Sequence, residues 1–173
     1  MTKDFYDKLA AIRHEIHQHP EISEREVETT AYLKKKISDL GIRILDSQLP
    51  TGLIAEIGQG QPIIALRADI DALPIKEKTG LAYASQNEAM HACGHDFHQT
   101  SLLGAAELLK QREAELSGTV RLIFQPAEEN FQGGHQVIAA GGLEDVSAII
   151  GYHNNPHLKP GQLGLRSGAI MAG

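Results

Sequence analysis

Apolar residues recur at near-helical spacing from Phe5 through Leu9 and Ile12 to Ile16, which predicts a helix over Phe5–His19. Pro20 ends it, because a proline disfavours helical geometry in the residue before it. Ser23–Glu24–Arg25–Glu26 has the spacing of a capping box, so a second helix should run to about Leu40 and stop at Gly41. Short β-type runs follow at Ile42–Leu45, Leu53–Ile57 and Ile63–Arg67. From Ser101 to about Glu115 the composition is helical, with Leu102, Leu103, Ala106 and Leu109 on one face. Thr119–Phe124 and Ala148–Tyr152 read as strands, Gln136–Ala140 as a helix and Leu163–Leu165 as a last short strand. Helices alternating with nearly continuous apolar strands predict an α/β sandwich on a largely parallel sheet. No repeat, low-complexity tract or Pro/Gly-rich linker divides residues 1–173.

Composition narrows the classes further. The 173 residues, 42% hydrophobic, suit one domain with a substantial core. Sixteen Lys and Arg against 22 Asp and Glu give a net charge of -6, which offers no electrostatic footprint for nucleic acid. Apolar runs such as Ile63–Ala65 and Ala148–Ile150 are far shorter than the roughly 20 residues of a membrane span, so no membrane association is expected. Met1–Phe5 lacks the apolar stretch of a secretory signal, and a single cysteine cannot close an internal disulfide. A reducing, cytoplasmic setting is therefore expected. The run Gly168–Gly173 has neither helix stop nor polar tail and reads as an interruption of a longer chain.

Placed on this map, the polar residues gather. Asp69 and Asp71 follow the strand Ile63–Arg67, Glu128 and Glu129 follow the strand ending at Phe124, and His153 follows Tyr152. Ligand sites of open α/β sheets lie at the carboxyl ends of strands, so three strands should deliver these groups to one edge.

The densest chemistry is His91–Ala92–Cys93–Gly94–His95–Asp96–Phe97–His98, just ahead of a predicted helix. A helix N-terminus favours the thiolate of a nearby cysteine. Cys, His and carboxylate together are the ligands of zinc and its neighbours. The bland alternative is a buried cysteine beside helix-capping polar residues. The adjacent acids Glu128–Glu129 point in different directions, so one can bind a metal while the other handles a proton; a solvated acidic loop is the competing reading. His153 is either a third participant or a polar loop residue. His14, His17 and His19 read as structural, and His98, His135 and His157 receive no role. Two further classes stay open on the residues alone. One is a thiol hydrolase with Cys93 as nucleophile and His95 or His98 as base; the other is an inactive or non-catalytic metal-binding domain.

Five motifs in order carry a resemblance: Arg13–Glu21 (RHEIHQHPE), Arg67–Pro74 (RADIDALP), His91–Asp96 (HACGHD), Gln125–Glu129 (QPAEE) and Tyr152–Asn154 (YHN). The chain resembles the metal-dependent amidohydrolase and peptidase family that includes hippurate hydrolase, N-acetyl-diaminopimelate deacetylase and plant indole-acetyl-amino-acid hydrolases. The resemblance implies a zinc-peptidase-like catalytic domain, a three-layer α/β sandwich with a mostly parallel mixed sheet. It implies two divalent metals (Zn, Mn, Co or Ni) per full-length chain, with Cys93 bridging, His95 and His153 on one ion and Glu129 on the other. By the same resemblance Glu128 is the general base and acid, and Asp69 an orienting acid. The implied reaction is hydrolysis of a small N-acyl amino acid to a carboxylate and a free amino acid, by a homodimer in the full-length form. Relatives of this family are about twice as long. Residues 1–173 are thus expected to be the N-terminal portion of the catalytic domain, truncated before a dimerisation domain, a returning catalytic segment and a last ligand histidine. Phe97 stands where many relatives have glycine.

Overall fold

The computed structural model describes residues 1–168, so the expected interruption lies, from Ala169 on, outside the described residues. In chain order the elements are α1 (Lys3–Gln18), α2 (Val27–Asp39), β1 (Arg43–Ile44), β2 (Leu53–Gly58), β3 (Ile63–Asp69), α3 (His95–Gln111), a 3-10 turn (Glu113–Glu115), β4 (Thr119–Gln125), α4 (Gly133–Ala139) and β5 (Val146–Gly151).

The five strands form one mixed sheet in the order β1-β2-β4-β3-β5. β4, β3 and β5 run parallel, whereas β1–β2 and β2–β4 are antiparallel. The parallel character is thus confined to the half that carries the predicted site. The reason is connection length. Residues 59–62 between β2 and β3 are too few for the helical crossover that parallel neighbours need, whereas α3 supplies that crossover between β3 and β4.

Alternation along the strands assigns the two faces. Leu53, Ala55 and Ile57 of β2, Ala68 of β3, and Leu122 and Phe124 of β4 point to α1–α3, where they meet Ile12, Ile16, Leu33, Ile37, Leu102, Leu103 and Ala106. On the other face Ala65 and Ile123 pack with Val137 of α4 in a smaller cluster. Three layers result, with most of the apolar burial on the α1–α3 side. β5 is an edge strand, and its Ile149 and Ile150 stay half-exposed.

Three local expectations are corrected. Ser23 does not cap α2. The N-cap is Glu26, and the carboxylate of Glu21 accepts the N–H groups of Glu28 and Thr29 at 3.2 and 2.7 Å. The upstream glutamate therefore satisfies the orphan donors of the first turn. That leaves Ser23 to donate to Asp71 at 2.7 Å. The buried Glu26 accepts from Thr51 Oγ1 and from the N–H of Ala127, both at 2.8 Å. Second, α3 begins at His95, not Ser101, because its first turns are buried yet polar: His95, Asp96, His98, Gln99 and Thr100 are all buried. Apolar periodicity cannot register such a segment. Third, Leu163–Leu165 forms no strand; Leu163 and Leu165 are exposed.

Candidate metal centre

β3, β4 and β5 end at Asp69, Gln125 and Gly151 on one edge of the sheet, and α3 starts there. Gly94 caps α3 with φ +87°, a left-handed conformation suited to glycine. A Cβ at this position would stand 2.0 Å from Asn154 Nδ2, so the same glycine also admits the loop after β5. The turn sets Cys93 and His95 side by side.

All six residues singled out by sequence converge here. Cys93 Sγ lies 3.3 Å from His153 Nε2, and Cys93, His95 and His153 offer ligand atoms within 4.8 Å of one another. His95 Nε2 is 3.6 Å from Asp69 Oδ2, 3.8 Å from Glu128 Oε2 and 3.8 Å from Glu129 Oε1. Two of these atoms, His95 Nε2 and Glu129 Oε1, are buried without a hydrogen-bond partner. Such orphans are costly unless something satisfies them. Ligand bonds of about 2.0–2.3 Å in tetrahedral geometry place donor atoms roughly 3.3–3.8 Å apart. The donor set and its spacing therefore fit a divalent metal ion.

The imidazoles are held in the matching tautomers. His95 Nδ1 faces two acceptors of Asp71, the backbone oxygen at 2.9 Å and Oδ1 at 3.2 Å. It must donate there, which leaves Nε2 as a lone pair. His153 Nδ1 donates to the carbonyl of Asn154 at 2.9 Å and likewise presents Nε2. The carboxylate that orients His95 is thus Asp71. Asp69 bonds instead to His98 Nδ1 at 2.6 Å and accepts from Arg67 at 2.7 Å. Sequence reasoning placed Asp71 at the right edge but gave it no partner. It missed His98, which the three-residue spacing from His95 on one helix could have flagged. His98 forms a further group with Asp69 and His95 that could hold an ion, but its Nε2 already accepts the N–H of Asn154 at 3.0 Å. His17 sits buried between Asp96 and Glu77, and His14 stacks on Tyr83, apart from the cluster. His135 and His157 are exposed.

Charge explains the remaining behaviour. Burial and the facing carboxylates of Glu129, Glu128 and Asp69 push the Cys93 thiol up to about 12. These groups oppose the thiolate that the helix N-terminus favours. Burial raises the Glu129 carboxyl, and Glu128 and Asp71 add to that while His95 opposes it. For Asp69, burial is outweighed by the His98 hydrogen bond and by His95 and Arg67, which hold the carboxyl down at about 2. A cation among these groups would reverse the local field and favour the thiolate.

An α/β sandwich carrying Cys, His and paired carboxylates at the carboxyl edge of its parallel strands defines a protein with a candidate metal centre. More specifically, the chain belongs to peptidase family M20/M25/M40, whose model matches residues 65–168. It is 53% identical to an N-acetylcysteine deacetylase of Bacillus subtilis over 98% of this chain and 46% of that protein. It is 47% identical to IAA-amino acid hydrolase ILR1-like 5 of Arabidopsis thaliana, over 99% of this chain and 40% of that one. The crystal structure of the Bacillus subtilis YXEP protein, a dinuclear metal-binding peptidase of the M20 family, superposes with a TM-score of 0.94 at 52% identity. That superposition covers 96% of this chain and 48% of the other. The chain therefore spans about half the length of the relatives it matches.

Proposed function

We propose that residues 1–173 are the N-terminal portion of the catalytic domain of a metal-dependent amidohydrolase that cleaves the amide bond of an N-acyl amino acid. One observation carries the reading. The unsatisfied His95 Nε2 lies within 3.8 Å of both Glu128 and Glu129, inside the cluster that Cys93 and His153 complete. The names of the deacetylase and hydrolase relatives support the substrate class.

In this reading Cys93, His95 and His153 would hold one divalent ion (Zn, Mn, Co or Ni), and Cys93 and Glu129 would contribute to a second in the full-length form. When bound, such an ion polarises an amide carbonyl and makes water acidic enough to ionise near neutral pH. Glu128 is the group with room to move protons: its side chain is 33% exposed, against 19% for Glu129. It takes a proton from the attacking water and returns it to the leaving nitrogen. Asp71 keeps the proton of His95 on Nδ1, and Asp69, held by Arg67 and His98, stands 3.6 Å from His95 Nε2 as an orienting acid. A thiolate ligand requires a reduced cysteine, which suits a cytoplasmic protein. Among the described residues no helix is long and apolar enough to cross a membrane. The full-length form is proposed to act as a homodimer.

The test is an assay of the full-length protein on acetyl, benzoyl and indole-acetyl amino acids with added manganese, zinc or cobalt. Metal-stimulated release of free amino acid, lost on chelation, is expected. Activity that survives chelation but is abolished by alkylating Cys93 would replace this reading with thiol hydrolysis.

A further inference from the structure

His153 is the least anchored member of the cluster. It follows the edge strand β5, and Tyr152, His153 and Asn155 are exposed. Side-chain hydrogen bonds nevertheless tie this loop to α3. Tyr152 Oη donates to the carbonyl of Phe97 at 3.2 Å. Asn154 Nδ2 donates to the carbonyl of Gly94 at 3.1 Å, and the N–H of Asn154 donates to His98 Nε2 at 3.0 Å. The His98 ring also packs edge-on against both Tyr152 and His153, with centroids 5.1 and 4.7 Å away.

We infer that His98 and Asn154 are positioning residues that set His153 for metal binding through a relay Asp69–His98–Asn154–His153. Each link has a defined direction. Asp69 Oδ1 accepts the proton of His98 Nδ1, so His98 Nε2 is an acceptor and needs a donor facing it. The N–H it takes belongs to Asn154, whose own carbonyl accepts from His153 Nδ1. His153 Nε2 is thereby presented to Cys93 Sγ. A histidine serving only the core would be satisfied within its own layer. His98, with 1% exposure, instead bridges the end of β3 to an exposed loop beyond β5. Gly94 completes the device, since any side chain there would strike Asn154.

This inference rests on the metal reading of the site, and its test separates the two. The probe is Co²⁺ added to the 173-residue chain, because cobalt reports thiolate ligation by a near-ultraviolet band and coordination number by its visible bands. The unaltered chain should bind with a thiolate band, and His153→Ala should weaken binding and change the visible spectrum. His98→Asn keeps a donor toward Asp69 but removes the acceptor for Asn154. His98→Gln restores an acceptor near the Nε2 position. Partners of ligating histidines typically carry about 10–100-fold in metal affinity. Thus His98→Asn and Asn154→Ala should each weaken Co²⁺ binding by about tenfold or more and shift the spectrum toward that of His153→Ala. His98→Gln should stay close to the unaltered chain. Melting temperatures of the metal-free variants separate this effect from a folding defect. If His98→Asn fails to fold, the half-buried Asn154→Ala decides alone. Unchanged affinity and spectra in both variants would overturn the positioning role and leave the metal site standing. Equal loss in His98→Gln and His98→Asn would overturn the acceptor role. No thiolate band in the unaltered chain would overturn the metal reading and the relay with it.

Discussion

The Oδ2 of Asp71 accepts the backbone N–H of Glu129 at 2.9 Å. Its other oxygen lies 3.2 Å from His95 Nδ1, and Ser23 donates to Oδ2 at 2.7 Å. One carboxylate just beyond β3 therefore registers a proposed ligand on α3 against a proposed ligand on the loop after β4. His95 and Glu129 come from segments more than thirty residues apart, and a buried anion is what sets their spacing.

Asp71→Asn should accordingly weaken metal binding by about 10–100-fold. The amide has one acceptor where the carboxylate uses two, so either the Glu129 N–H loses its acceptor or His95 Nδ1 keeps only the Asp71 backbone oxygen. Competition with a chromogenic chelator measures this on the 173-residue chain. Affinity equal to that of the unaltered chain would remove Asp71 from the site.

After exhaustive dialysis the chain should retain one divalent ion. In the proposed assignment the first ion has three ligands, Cys93, His95 and His153, whereas the second has only Glu129 and the shared Cys93 among the described residues. Two protein ligands hold a divalent ion less tightly than three. Elemental analysis decides the matter, and two tightly held ions per chain would show that the ligand assignment is wrong.

Glu128→Gln and Glu129→Gln should fail differently in the full-length protein. Losing the proton acceptor at Glu128 should cost turnover about 10²–10⁴-fold while metal content persists. At Glu129 the neutral amide is the poorer ligand, so metal retention itself should drop. Side-by-side kinetics and metal analysis check both arms; two fully metallated, fully active variants would refute the division of labour.

Gly94→Ala should destabilise the fold by at least about 1–2 kcal/mol, because its φ of +87° is left-handed and its Cβ meets Asn154. Gly134→Ala is the control. It lies in α4 with nothing within 4 Å of the new methyl, so it should be neutral or stabilising by up to about 1 kcal/mol. Chemical denaturation of the two variants reads the contrast.

Burial raises the carboxyl of Glu26, although the N–H of Ala127 and the hydroxyl of Thr51 favour its anion. The folded state therefore holds this proton more tightly than the unfolded chain. Above the ordinary carboxylate range near about 4.3 the unfolded chain ionises first, so stability falls as pH rises through the raised folded value. Glu26→Gln removes that loss. Its stability relative to the unaltered protein should therefore increase between pH 4 and pH 7, as followed by denaturant titration. A relative decrease would mean that the hydrogen bonds outweigh desolvation.

Much of this protein was legible in the chain itself. Period 3.6 in α1 and apolar runs in β2, β3 and β4 located those elements, because their apolar faces are buried against one another. Strand ends followed by Asp69, Glu128–Glu129 and His153 pointed to one edge of the sheet. Cys93 and His95 needed only their own two-residue spacing and a glycine between them.

The rest was decided by segments distant in sequence. The start of α3 is polar and buried, and it is stable only because Asp69, Asp71 and His17 stand opposite His98, His95 and Asp96. Glu21 displaced Ser23 as the cap of α2, and this freed Ser23 and Glu26 to brace Asp71 and Ala127. The antiparallel half of the sheet followed from a connection too short to cross over. Apolar periodicity records which face of an element leaves water, and that is a local property. A buried polar group is tolerated only when a partner arrives from elsewhere, so Asp71, His98 and Asn154 acquired their roles only when the chain had closed around them.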